Sequence, residues 1–472
     1  MQQRLQQQQT WKVVVRVLIV LLIIVAMAGS VLLGALTQSY GLEPAASTSL
    51  AAPSSASLAP STSLRPDMRP QDRIDGRSAS EYRSSTDDIP DVQAQFAGLS
   101  TSDGRVLFER DADVAVPMAS TTKMMTAIVA LESTPLDTMM KVTLGAANTP
   151  GTEAGLEEGM MVSLHDLLYC LLVPSGNDAA VVIAENLSGY ESRFVELMNE
   201  KAALLGMSST HYADSSGLSD EDHYSTVRDY LKLAQYCMKN PVFREVVGTR
   251  HKELTIDGVL FEFESTSQLW DVLDGAEVTG IKTGFIEESG YCFVGSAVKN
   301  GIELYSVTFR GTDGIERFED AAELLEWGFR HYRTIELVNP YQLVGTVALT
   351  SWIDKTVSAF APSAVRVQVF DLNGPIAQEV SLSDIEGSVV QGQECGSIIW
   401  LQRGEVLATS PVVVSESVGA PGFFDGIGIG WSRFWGGFFG DAPHAVGSIA
   451  LKSVVEVPAA APATLPDQAR AA

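Results

Sequence analysis

Apolar positions along the chain follow three kinds of spacing, and each predicts a different kind of element. Residues 17–36 are an unbroken run of twenty uncharged, mostly aliphatic positions, long enough to cross a hydrocarbon core of about 30 Å as a helix. Arg4, Lys12 and Arg16 precede the run, a bias that predicts a cytoplasmic amino terminus and export of everything after it. Ala26-Met27-Ala28 leaves a cleaved signal open beside a retained anchor. Between residues 91 and 335 periods of two and of 3.6 alternate. Residues 92–99 and 106–109 read as strands joined by Asp103-Gly104. Met125, Ile128, Val129 and Leu131, following Pro117 and a run of Ser and Thr, predict a buried helix over 118–132. Helices are predicted again at 164–172, 178–187, 193–205 and about 226–238. Strands return at 277–281, 291–298 and 302–309, the last two joined by Asn300-Gly301, which favours a tight hairpin turn. That predicts an antiparallel sheet, and Phe318, Ala322, Leu325 and Phe329 predict a helix lying on it. From about 338 to 418 the pattern shortens to β-rich runs such as TVALTSW and AVRVQVF, the signature of a separate small β-sandwich.

The remaining stretches are not core-forming in the same way. Residues 41–90 pass from an Ala/Ser/Pro-rich tract to a polar, charged one; neither buries a core, and the segment reads as a flexible stalk reaching on the order of 40 Å. In residues 422–440, Phe423, Ile427, Trp431, Phe434, Trp435 and Phe438 share one helical face, opposite Asp425, Ser432 and Arg433. Such a face suits a membrane interface, an aromatic patch packed on the protein or a loosely ordered tail, and each glycine in the segment costs about 1 kcal/mol of helix stability against alanine. The expected organisation is a signal or transmembrane anchor (1–40), a disordered stalk (41–90), an α+β domain (91–335), a β-sandwich (336–418) and an aromatic amphipathic segment with a disordered tail (419–472).

Charge narrows the partners. The formal net charge of −26 opposes nucleic-acid binding, since a polyphosphate would be repelled. Cys170, Cys237, Cys292 and Cys395 are far apart, with no CxxC spacing, and read as buried thiols rather than a disulfide framework or a metal site.

Three short sites carry candidate chemistry. Ser120 and Lys123 stand three residues apart at a helix start, hence on one face. A serine hydroxyl needs a base to become a nucleophile, and a lysine serves if burial or a second cation lowers its pKa. Taken alone, the pair also fits an ordinary helix cap. Ser175 and Asn177, after the helix-ending Pro174, are two apart in a link expected to be extended, so that both would face one cleft. Lys282, Thr283 and Gly284 are expected at a strand end, where a side-chain-free Gly284 would admit a ligand close to the backbone.

Ser-x-x-Lys, Ser-x-Asn and Lys-Thr-Gly in this order form the signature of β-lactamases and penicillin-binding proteins. The flanks, ASTTKMMTAIVALE, LHDLLYCLLVPSGNDAAVVIAE, THYADSSGL, HYSTVRDYLKLA, GIKTGF and SGYCFVGSA, resemble the serine D-alanyl-D-alanine carboxypeptidases, the low-molecular-mass penicillin-binding proteins, over residues 92–333. The resemblance implies a penicillin-binding/β-lactamase-like α+β domain, an antiparallel sheet with helical layers, followed by the small β-sandwich. It implies that Ser120 forms an acyl-enzyme with the penultimate D-alanine of a peptidoglycan pentapeptide, releasing terminal D-alanine, and that β-lactam antibiotics acylate the same serine. Lys123 would be the base, held below its ordinary pKa by burial and by Lys282. Ser175 would relay a proton, Asn177 would hold Lys123 and the substrate amide, and Lys282 with Thr283 would receive the substrate carboxylate. The oxyanion would lie between the backbone N–H groups of Ser120 and Phe285. No metal and no cofactor are implied, and the location implied is the extracytoplasmic side of the cell membrane. Phe285-Ile286 after Lys-Thr-Gly departs from many relatives, which puts substrate preference there in question. Arg317 sits near the place of a carboxylate-binding arginine in some relatives, and His211 and His223 read as structural. The same fold would also serve a β-lactamase, and a catalytically silent wall-binding scaffold is a third reading.

Overall fold

The computed structural model describes residues 69–81, 89–218, 222–439 and 444–457. The predicted span at 17–36, most of the stalk and the tail after 457 lie outside them. Among the described residues no helix is long and apolar enough to cross a membrane.

A seven-stranded sheet organises the first region. Its order is Arg77–Ser78, Asp72–Ile74, Val106–Arg110, Phe96–Thr101, Ile302–Gly311, Gly290–Lys299 and Glu277–Ile286, each neighbouring pair antiparallel. Side chains alternate across the pleat, and the two faces fill two cores. Phe96, Val294 and Tyr305 pack with the helices Lys123–Ser133, Leu164–Leu172, Asn177–Ser188 and Val227–Cys237. Ala97, Phe293 and Leu304, each one residue away, pack with Phe318, Leu325 and Trp327 of the helix Glu316–His331. The Asn300-Gly301 turn takes φ of +53° and +76°, which the right-handed twist of a two-residue hairpin demands. All four cysteines are buried and unpaired.

Two boundaries differ from the sequence reading. The strand expected to stop at 281 runs from Glu277 to Ile286. The hairpin partner continues the ladder, pairing Lys282 with Val294, Gly284 with Cys292 and Ile286 with Gly290, so Lys282-Thr283-Gly284 is mid-strand. Residues 69–81, expected to belong to the stalk, form a hairpin at the far edge of the sheet. Buried Asp72 accepts from Nε and a terminal nitrogen of buried Arg110, and that pairing overrides a polar composition.

The second region is all β. Its main sheet has the order Ser448–Ile449, Leu343–Ala348, Thr356–Phe360, Glu405–Val414, Glu394–Gln402, Ile376–Leu382 and Val454–Val455, and a two-stranded ribbon pairs Tyr332–Val338 with Val365–Phe370. Leu337, Val338 and Val369 of the ribbon share a core with Val347, Ile398, Trp400 and Val412 of the sheet. The helix Phe423–Phe439 follows, its Arg433 donating to Thr350 O and Trp352 O of this region, and the chain after it returns as two short strands, Ser448–Ile449 and Val454–Val455. Those strands fall within the expected tail.

Candidate active site

Ser120 sits in a 3-10 turn, Ala119–Thr122, that runs directly into the helix Lys123–Ser133. Ala119 has a φ of +48°, a left-handed conformation costing an alanine roughly 1–2 kcal/mol, so the surroundings must hold it. Thr121 Oγ1 donates to Met118 O at 2.6 Å, and Thr122 Oγ1 donates to Ala119 O at 2.7 Å. Two glycines close on the turn from other parts of the chain. A Cβ on Gly217 would fall 2.0 Å from Ala119 O and 2.9 Å from Ser120 N, and one on Gly284 would fall 2.9 Å from Met118 O and 3.1 Å from Thr121 N. Gly284 thus admits the turn that carries Ser120, where the sequence reading expected a ligand.

Lys123 is fully buried, and its Nζ lies 2.8 Å from Ser120 Oγ, 2.6 Å from Asn177 Oδ1 and 2.9 Å from Ser216 O. This set suits an amine in either protonation state. As an ammonium it donates three times; as a neutral amine it donates to Asn177 and Ser216 and keeps its lone pair for the Ser120 O–H. Burial draws its pKa down to about 7, against the opposing pull of Asp214 and Asp178. The sequence reading named burial and Lys282; burial is the main cause, and Lys282 is not among the charges acting on Lys123.

Asn177 opens the helix Asn177–Ser188, and its amide is fixed at both ends, with Nδ2 donating to Pro150 O at 2.7 Å while Oδ1 accepts from Lys123. Asp178 beside it accepts from the N–H groups of Ala154, Gly155 and Leu156. Ser175 is not extended as expected: its φ is +71°. The residue is 5% exposed.

On the edge strand, Lys282 is 2% exposed, and its Nζ donates to Thr283 O at 3.1 Å and Thr283 Oγ1 at 3.4 Å. Thr283 Oγ1 also lies 2.6 Å from Thr266 Oγ1. Burial first, then the charges of Lys123 and Arg317, push Lys282 well below its ordinary value. Two amines this close oppose each other's protonation, whichever holds the proton. Arg317 donates to Gly284 O at 3.1 Å and stacks over Tyr291 and Phe318. Phe285 is half exposed, with its ring 4.4 Å from that of Tyr291.

Sequence reasoning marked the segment 214–217, within THYADSSGL, but gave it no role. Asp214 Oδ1 accepts from the N–H groups of Ser216 and Gly217, which aims Ser216 O at Lys123 and lays Gly217 on the Ser120 turn. The available signal was Asp-Ser-Ser-Gly itself, a sequence rich in turn formers.

A partly buried serine thus sits against a fully buried lysine beside the edge strand of an antiparallel sheet, with helices behind it. The sequence model of the D-alanyl-D-alanine carboxypeptidase family matches residues 84–313. The chain belongs to this family. A D-alanyl-D-alanine carboxypeptidase of Bacillus subtilis is 29% identical over 341 residues, 70% of this chain and 87% of that protein. One from a Streptomyces species is 33% identical over 250 residues, 49% of this chain and 85% of that protein. In fold, the crystal structure of a Francisella tularensis D-alanyl-D-alanine carboxypeptidase superposes with a TM-score of 0.52 at 22% identity, covering 73% of this chain and 98% of the other.

Proposed function

We propose that the protein removes the terminal D-alanine from peptidoglycan stem peptides through an acyl-enzyme on Ser120. The observation that carries this is the 2.8 Å contact between Ser120 Oγ and a fully buried Lys123 whose pKa is near 7. At that value a large share of the amine is neutral at physiological pH and can take the serine proton.

In this reading, Ser120 Oγ bonds to the carbonyl carbon of the penultimate D-alanine as its proton passes to Lys123. The oxyanion forms against the backbone N–H groups of Ser120 and Phe285, donors that gain strength as the charge develops. The C–N bond then breaks, and the departing amine takes the proton from Lys123 by way of Ser175. Water attacks the ester with Lys123 again as base, and Ser120 regains its proton. Lys282, Thr283 and Arg317 receive the terminal carboxylate. The carboxylate favours the charged form of Lys282, and that charge adds to burial in favouring the neutral form of Lys123. A β-lactam enters by the first step, through attack on its strained amide. The run at 17–36 and the exposed Phe423, Phe424, Trp431 and Phe434 of the late helix support tethering to the outer face of the cell membrane.

The test is release of D-alanine from a diacetyl-lysyl-D-alanyl-D-alanine peptide, run beside labelling with a fluorescent penicillin. Both are expected for the wild-type protein and neither for Ser120→Ala. A folded wild-type protein that releases no D-alanine contradicts the proposal.

A further inference from the structure

His223 belongs to none of the three motifs, yet its ring is wired to the strained residue beside the nucleophile. It is 1% exposed. Its Nδ1 accepts from the Ala213 N–H at 3.0 Å, which leaves the ring proton on Nε2. Nε2 lies 2.7 Å from Thr122 Oγ1 and therefore donates to it. Thr122 must then spend its own proton on Ala119 O, 2.7 Å away. Every donor and acceptor along this path has one possible direction, and it ends on the residue held at a φ of +48° immediately before Ser120.

We propose that neutral His223 is a positioning residue, holding Ser120 against Lys123 through Thr122 and Ala119, and that protonation of the ring uncouples the nucleophile from its base. The inference rests on Ser120 being the nucleophile, as proposed above. A proton on Nδ1 would point at the Ala213 N–H, so the ring would have to abandon that bond and shift, and Thr122 with it.

The groups facing the ring divide on that proton. Burial, first, and His211 disfavour it, while Asp214, whose Oδ2 is 3.9 Å from Nδ1, favours it; the balance lies below the ordinary histidine value. Tyr212 stands edge-on to the ring at 5.8 Å, and Tyr230 lies near Thr122; burial pushes both phenols upward, so they stay neutral over the same range. Lys123, on the same turn as Thr122, titrates near pH 7. It supplies a first proton to any acid limb, and His223 supplies a second.

The experiment is the rate of acylation of the full chain by a fluorescent penicillin from about pH 5 to 8.5, with tryptophan fluorescence reporting the folded fraction at every pH. For wild type, the logarithm of the rate should fall with a slope of one below about pH 7 and steepen toward two as His223 takes its proton. His223→Gln keeps a donor for Thr122 but cannot titrate, so its limb should keep a slope of one throughout. His223→Phe removes the donor and should be slower at every pH by on the order of tenfold or more, the scale of a misplaced reacting group. A purely structural histidine would change the melting temperature and leave the slopes of wild type and His223→Gln alike. Equal slopes therefore overturn the inference, even if His223→Phe fails to fold. Absence of any labelling of wild type would instead sink the serine reading, and this inference with it.

Discussion

Arg110, at the end of the strand Val106–Arg110, and Lys123, at the start of the helix Lys123–Ser133, are both basic side chains with at most 1% exposure, and their surroundings answer the cost of burial in opposite ways. Arg110 meets a carboxylate: Nε and a terminal nitrogen both donate to Asp72, and the other terminal nitrogen donates to Val92 O and Ala94 O. Lys123 meets a hydroxyl, an amide oxygen and a backbone carbonyl, none of them charged. The first arrangement answers the guanidinium with an opposite charge and fixes the edge hairpin in place. The second makes the charge easy to lose, and a lysine that sheds its proton near neutrality is a base. Equal burial thus fixes a hairpin in one place and, in the function proposed above, supplies a base in the other, and the choice of partner decides which.

Breaking each side of this contrast should give opposite phenotypes. Lys123→Met should lower the penicillin acylation rate by on the order of 10³-fold, the scale of a lost general base. It should also flatten the pH dependence of stability. Because the folded-state pKa of Lys123 lies below its unfolded value, the unfolded chain binds more protons between about pH 7 and 10, and wild-type stability should rise with pH across that window. Urea unfolding at several pH values checks both the rise and its reduction in the variant. Arg110→Met, next in size, should cost about 3–5 kcal/mol in urea unfolding, because it leaves Asp72 buried without a counter-charge, while the acylation rate of the folded protein stays near wild type. Gly217→Ala tests whether the turn must be held from outside. With a φ of +88° and a Cβ landing 2.0 Å from Ala119 O, acylation should slow by on the order of 10²-fold. Phe285→Ala should do least. Its half-exposed ring rests on Tyr291, outside the Lys123 shell, so steady-state kinetics should show a rise in KM of about tenfold or less, the worth of one apolar contact.

The contrast also explains what could be read in advance. Ser120 and Lys123 were legible because an i,i+3 spacing on a helix start fixes their meeting without knowledge of the rest of the fold. The alternation through Phe293-Val294 and Leu304-Tyr305 was legible because a strand with both faces buried still sorts its side chains by parity. Arg110–Asp72 was not, since the two lie 38 positions apart and Asp72 sits in a stretch whose local composition reads as stalk. Ser175 was placed on an extended link because Pro174 precedes it, yet it adopts φ +71°, a conformation that depends on how the two flanking helices pack. Gly217 and Asp214 were hidden for a similar reason: their task is a tertiary approach to Ala119 and Ser120, and nothing in their own neighbours reports it. The return of Ser448–Ile449 and Val454–Val455 to the sheet escaped notice because two-residue strands carry no period to detect.

The central claim is that Lys123 is a neutral amine at the pH where the enzyme works. Its ε-carbon and ζ-nitrogen can be followed by NMR in protein labelled at lysine, with Lys123→Arg identifying the signal, and titrated from about pH 5 to 11. A midpoint near 7 is the result predicted. A midpoint close to the ordinary lysine value of about 10.4 would mean that Lys123 stays an ammonium beside Ser120, and the account of an activated serine would be contradicted.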